Sequence, residues 1–145
     1  MNRAIRILAS ALTCLSREAA EPAREYCGLL AGGAGVITHV FPARNAAPNP
    51  ATAYEIAPID VFRIVREMRE AGLELLGIYH SHPNGKNQPS PRDIESAYYP
   101  DVAYFIISPL PGAARPVRAF SIRDGRATEL AIEVVDAKED HDEST

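Results

Sequence analysis

The sequence predicts an α/β domain. Two amphipathic stretches with apolar residues at helical spacing lie around Leu12 and Ile64. Short apolar, β-branched runs lie between and after them, at Cys27–Ala31, Val36–Phe41, Leu73–Tyr79 and Val102–Ser108. One of these, Leu73–Tyr79, follows a helix directly and is almost wholly apolar, as expected of a strand covered on both faces. At 145 residues the chain has the size of one domain and can bury a sizeable core.

Taken in order, residues 4 to 20 read as a first helix. Ile5, Leu8, Leu12 and Leu15 recur along one face, and Pro22 ends the run. Cys27–Ala31 reads as a strand, Gly32, Gly33 and Gly35 as a turn, and Val36–Phe41 as the partner strand of a hairpin. Pro42 to Thr52 has no periodicity; it serves as a connector or as a loop touching substrate, with equal support for each. Tyr54–Ile56 suggests a short strand. Pro58 opens a second helix whose stripe is Val61, Phe62, Ile64, Val65 and Met68, with Gly72 as its C-terminal cap.

The strand Leu73–Tyr79 then runs into His80-Ser81-His82. Strand alternation places Leu76, Ile78, His80 and His82 on one face and Gly77, Tyr79 and Ser81 on the other. After a polar loop, Ser90-Pro91-Arg92-Asp93 starts a third helix, expected to reach Tyr99-Pro100, with Ser at the N-cap, Pro at N1 and Asp at N3. Val102–Ser108 is a further buried strand. Val117–Ile122 and Thr128–Val135 form a hairpin around Asp124-Gly125. The expected domain covers residues 1–135, with 136–145 a charged, frayed tail.

Two imidazoles two residues apart on a strand face can bind one metal ion from the same side. Asp93, in the first turn of the next helix, is the natural third ligand. No cysteine lies near, so the donor set is nitrogen and oxygen with an open position, the pattern of a catalytic rather than a structural zinc. Such a site needs a general base, usually a carboxylate. The residues alone do not choose among Glu18, Glu21, Glu25, Glu55 and Glu74. Ser90 and Asp93 also have a plain structural reading, because Ser-x-x-Asp caps helices. His39 and His141 read as structural or solvated, Lys86 and Arg92 as solvated charge, and Cys14 and Cys27 as reduced thiols outside any CxxC pair.

His80-Ser81-His82, seven residues, Ser90, two residues, Asp93 resembles the signature of the JAMM (MPN+) zinc metalloprotease family. Glu25-Tyr26-Cys27-Gly28-Leu29-Leu30 is similar to that family's upstream glutamate element, and the likeness covers roughly residues 5 to 135. The resemblance implies a curved mixed β-sheet with helices packed on it, similar to the cytidine-deaminase-like α/β/α architecture. It implies that His80, His82 and Asp93 bind one Zn2+, that Glu25 moves the proton, and that Ser90 stabilises the oxyanion. It further implies a compact bacterial-type peptidase or isopeptidase acting on a ubiquitin-like or sulfur-carrier protein.

Other classes fit less well. A nucleobase deaminase needs an H-x-E and a P-C-x-x-C, which are missing here. A non-catalytic scaffold of the same fold would lack metal positions that this chain keeps. A DNA-repair-associated relative resembling RadC is opposed by Glu25 and by a net charge of −4, which also disfavours nucleic acid and acidic membranes. The first residues do not form a signal-peptide core, and no apolar run approaches the ~18 residues of a membrane span. The expected location is the cytoplasm. Oligomeric state and strand order are open at this level.

Overall fold

The computed structural model describes residues 4–18, 26–47, 55–82, 87–95, 97, 99–108 and 115–136. Seven strands in these segments close a curved mixed sheet in the order β1-β3-β2-β4-β5-β6-β7. They are β1 Ala4–Leu8, β2 Cys27–Gly33, β3 Val36–Ala43, β4 Glu74–Ser81, β5 Ala103–Ile107, β6 Val117–Arg123 and β7 Arg126–Val135. The helices are α1 Ala9–Glu18, α2 Pro58–Glu70 and α3 Pro91–Glu95. No described helix is long and apolar enough to cross a membrane.

The expected first helix is a strand followed by a helix. Ala4–Leu8 lies parallel to β7, with Ile5 opposite Ile132 and Ile7 opposite Val134, and also touches β3 at Arg6 and Ile7. This strand closes the sheet. The helix begins only at Ala9 and buries Ala11 and Leu15. A five-residue apolar segment satisfies either period, and its pairing with β7 decides the matter.

The two layers of core lie on opposite sides of the sheet. One joins α1 (Ala11, Leu15) to Ile7, Leu30, Ile37, Tyr79, Phe105 and Ala119. The other joins α2 (Ile64, Met68) to Leu29, Ile78, Tyr104, Ile106 and Phe120. Of the stripe expected on α2, Ile64 and Met68 are buried, but Phe62 is 69% exposed, because it lies beyond the sector facing the sheet. Helix α2 ends as expected. Gly72 takes φ +73°, its N–H donates to Arg69 O, and the Leu73 N–H donates to Met68 O, closing a Schellman motif.

The β6–β7 turn is as expected, with Asp124 at φ 51° and Gly125 at 75°, the conformation that matches the twist of paired strands. The first hairpin turns two residues later than expected: β2 continues through Gly33, and Ala34-Gly35 make the bend. Strand β3 likewise runs on through Pro42 and Ala43. Tyr54 and the end of the 42–52 loop, from residue 48 on, lie outside the described residues; Ile56 forms a single bridge to Asn45. Helix α3 is far shorter than expected. The chain leaves helical bonding when the Ala97 N–H turns to Ile94 O and the Tyr99 N–H donates to Tyr104 Oη.

One facing relationship differs from simple alternation. The register of β2 on β4 shifts between Leu30↔Gly77 and Ala31↔Leu75. Leu76 therefore packs with Tyr79 in the α1 layer, while Leu75 and Ile78 pack in the α2 layer. Leu76 does not share the face of Ile78. From Gly77 onward the ladder is regular, so the histidines are unaffected.

Candidate metal centre

Strand β4 is held on both sides up to its last residue. Its register runs Ile78↔Leu29 and His80↔Cys27 on β2, and His80↔Ile106 and Ser81↔Ile107 on β5. The His82 N–H, just past the strand, donates to Ile107 O at 2.9 Å. The two histidines thus leave a rigid edge, and both rings turn the same way. Their Nε2 atoms lie 3.0 Å apart, with ring centroids at 4.8 Å.

Asp93 meets them from the first turn of α3. Its Oδ1 is 3.3 Å from His80 Nε2 and its Oδ2 is 3.1 Å from His82 Nε2. Ser90 fixes that carboxylate: the Ser90 N–H donates to Asp93 Oδ2 at 2.9 Å, and the Asp93 N–H donates to Ser90 Oγ at 3.0 Å. This reciprocal pair is the capping pattern read from the sequence, with aspartate in place of the usual glutamate. Capping and convergence on the histidines coexist in one side chain.

The three side chains each offer a ligand atom within 4.8 Å of the others, so together they can hold a metal ion. Their electrostatics match that use. Burial holds the His80 imidazole below its ordinary pKa, against the opposing pull of Asp93, so it is kept neutral. Burial pushes the Asp93 carboxyl up, but the two imidazoles and the Ser90 N–H outweigh this and hold it well below the usual carboxylate range. A neutral imidazole and an ionised carboxylate are the forms that bind metal.

Glu25 lies outside the described residues. Its chain neighbour Tyr26 is tied to the histidine strand: the Tyr26 N–H donates to Ser81 Oγ at 2.8 Å, and the Ser81 N–H donates to Tyr26 O at 2.9 Å. Ser81 is fully buried. Sequence reading missed this role; the only sign was a hydroxyl closing an otherwise apolar strand. On the other side of β2, the Cys27 thiol points at Ala43 O and Arg44 O, as a core residue rather than a redox centre.

The entry to α2 is fastened to the same edge. Asp60, buried in its first turn, accepts from the Arg44 N–H at 2.8 Å and Nε at 3.3 Å and lies 3.7 Å from Arg63. Asn45 Oδ1 accepts from the N–H groups of Ala47 and Glu55, which pins the base of the loop between them. Across the site, the Asn87 side chain donates to Arg115 O. His39 is exposed beside Thr38 and Phe41, away from the centre, and Arg92 is exposed. Lys86 and His141 lie outside the described residues.

Comparison with known proteins places this geometry in a family. Residues 9–123 match the sequence profile of the prokaryotic homologs of the JAB domain. A desampylase of Haloferax volcanii is 40% identical over 93 residues, covering 63% of this chain and 67% of that protein. A probable TtuB-protein conjugate cleaving protease of Thermus thermophilus is 38% identical over 112 residues, covering 77% and 71%. A CysO-cysteine peptidase of Mycobacterium tuberculosis is 32% identical over 114 residues, covering 77% of each. Among solved structures, a Desulfitobacterium hafniense protein superposes with a TM-score of 0.78 at 28% identity, over 91% of this chain and 93% of that one. A JAB1/MPN domain protein of Archaeoglobus fulgidus shares the fold, with a TM-score of 0.56 at 19% identity over 91% and 97%. A match over most of its length, with the histidine strand and the Ser90–Asp93 turn inside it, means that the chain belongs to the prokaryotic JAB-domain family.

Proposed function

We propose that this chain is a cytoplasmic zinc metallopeptidase that hydrolyses a peptide or isopeptide bond at the C-terminus of a ubiquitin-like or sulfur-carrier protein. The observation that carries the reading is the convergence of His80, His82 and Asp93, each fixed by backbone bonding before any ion binds. The two imidazole Nε2 atoms lie 3.0 Å apart, and the Asp93 carboxylate approaches His80 through Oδ1 at 3.3 Å and His82 through Oδ2 at 3.1 Å, the nitrogen and oxygen donor set that zinc takes. The named activities of the three relatives, a desampylase, a conjugate-cleaving protease and a CysO-cysteine peptidase, support the substrate class.

Zinc held there supplies Lewis-acid polarisation of a carbonyl and lowers the pKa of water to about 7. The chain's own residues do the rest. The Glu25 carboxylate accepts a proton from the attacking water and passes it to the leaving amine nitrogen, so that water and amide become carboxylic acid and amine, which separate as carboxylate and ammonium. The Ser90 hydroxyl accepts from the Asp93 N–H, which leaves its own proton free to donate to the carbonyl oxygen as negative charge grows there. The buried β4–β5 edge holds the histidines still, so little reorganisation is needed during turnover.

The test is incubation of zinc-loaded protein with C-terminally extended ubiquitin-like and sulfur-carrier proteins, read by intact mass. Cleavage that stops with a chelator and with Glu25→Gln is the expected result. Zinc binding without cleavage of any carrier overturns the reading.

A further inference from the structure

We infer that Ser81 is a positioning residue that sets the chain carrying Glu25 against the metal-binding strand, separately from holding the metal. The inference rests on the peptidase reading above and adds a residue to it. Ser81 lies between the two histidines, but alternation directs it to the opposite face of β4. It has no place among the converging ligand atoms.

What it does instead is unusual for a sheet. The regular β2–β4 ladder ends at Cys27↔His80. One step further, Tyr26 and Ser81 stand where the next pair would form. Half of that pair is ordinary, with the Ser81 N–H donating to Tyr26 O at 2.9 Å. In the other half, the Tyr26 N–H donates at 2.8 Å to the Ser81 side-chain Oγ. The next N–H, that of His82, points to the other neighbour and continues the parallel β4–β5 ladder to Ile107 O. At the end of β4 the strand is thus held by β5 on one side, while on the other the Ser81 hydroxyl takes the place of the backbone acceptor for Tyr26 on the β2 side.

Glu25 is the residue immediately before Tyr26 in the chain. The direction in which the chain approaches Tyr26 sets where Glu25 can reach. The hydroxyl is fully buried, so water does not compete for the Tyr26 N–H. An alanine at position 81 removes the hydroxyl that accepts from the Tyr26 N–H and keeps only the backbone half of the pair, the Ser81 N–H to Tyr26 O. It leaves untouched the His82 bond to β5, the His80 register and the Ser90–Asp93 pair. Proton transfer should then suffer while metal binding does not.

The experiment compares wild type, Ser81→Ala and Ser81→Cys, each as zinc-loaded full chain. The cysteine fills the site with a slightly larger group that is only a weak acceptor, and it serves if the alanine variant does not fold. Three quantities are read: amide exchange at Tyr26 against Leu30, zinc affinity by chelator competition, and kcat and KM on a cleaved carrier. The expected order for Tyr26 protection and for kcat is Ser, then Cys, then Ala. The Ala variant should lose about a hundredfold in kcat, the scale of a small misplacement of a reacting group, with KM, zinc affinity and Leu30 exchange within twofold. Unchanged Tyr26 exchange, or faster exchange with unchanged kcat, overturns the inference. A fall in zinc affinity matching the fall in kcat also overturns it, because Ser81 would then be supporting the ligands. Failure of the zinc-loaded wild type to cleave any carrier overturns the peptidase reading itself. It is recognised separately, because the exchange and zinc measurements need no turnover.

Discussion

Ser90 and Asp93 hold each other through two reciprocal hydrogen bonds, each running from a backbone N–H to the other's side chain, while the same Asp93 carboxylate faces both histidine Nε2 atoms. The pair has a structural and a chemical use, and the two differ in size. Removing the hydroxyl by Ser90→Ala loses an N-cap, worth about 1 kcal/mol. Removing an oxyanion donor lowers kcat by ~10²–10³-fold. The variant should therefore fold, melt a few degrees lower and bind zinc, yet lose most of its turnover. Thermal melts beside kcat measurements check this; near wild-type kcat in the folded variant removes Ser90 from the mechanism.

Asp93→Asn keeps the shape of the side chain but removes the charge opposite two imidazoles. The loss of zinc affinity should exceed the ~10–100-fold that follows loss of a group merely supporting a ligand. Metal binding only to the folded chain should also raise stability, by about 2.7 kcal/mol at a hundred times the dissociation constant. Zinc should thus raise the melting temperature of wild type, a chelator should reverse the rise, and Asp93→Asn should show little of it. An equal zinc-induced rise in the variant would exclude Asp93 as a ligand.

The parts of this structure legible in the sequence are those specified by near neighbours. Gly72 after an amphipathic run and Asp124-Gly125 between two strands carry their geometry locally, and both appear as expected. His80 and His82 share a face because the ladder from Gly77 onward is regular. What escaped depends on distant partners. Ala4–Leu8 is a strand because β7, more than a hundred residues later, pairs with it. Leu76 turns to the other layer because of a register shift imposed by β2. The Ser81–Tyr26 link spans 55 residues and uses a side chain in place of a backbone acceptor, which periodicity does not register.

Asp60 gives a stability dependence on pH. The Arg44 N–H is the main cause holding its carboxyl below the ordinary value, and the Arg44 and Arg63 side chains add to this, while burial opposes them. The folded pKa is lower than the unfolded value of about 3.9. The contribution is therefore fully present above that value and is lost as pH falls through the folded pKa. Melting temperatures measured from about pH 6 down to about pH 3 should fall for wild type. Asp60→Asn should start lower and fall less steeply over the same range. A parallel fall in both proteins would show that Asp60 does not contribute to the acid limb.

Glu25→Gln separates proton transfer from metal binding. Glutamine keeps the size and polarity of the side chain but cannot accept a proton from water at neutral pH. General acid–base help is worth ~10²–10⁴-fold, so kcat should fall by that order while zinc affinity stays at the wild-type level. The three ligand side chains are oriented by bonds that do not involve residue 25, namely His82 to Ile107, the Ser81–Ile107 register and Ser90 with Asp93. Zinc content and kcat measured on the same preparation check the separation. If zinc is lost together with activity, Glu25 is a ligand or a structural group; if activity persists, another carboxylate moves the proton.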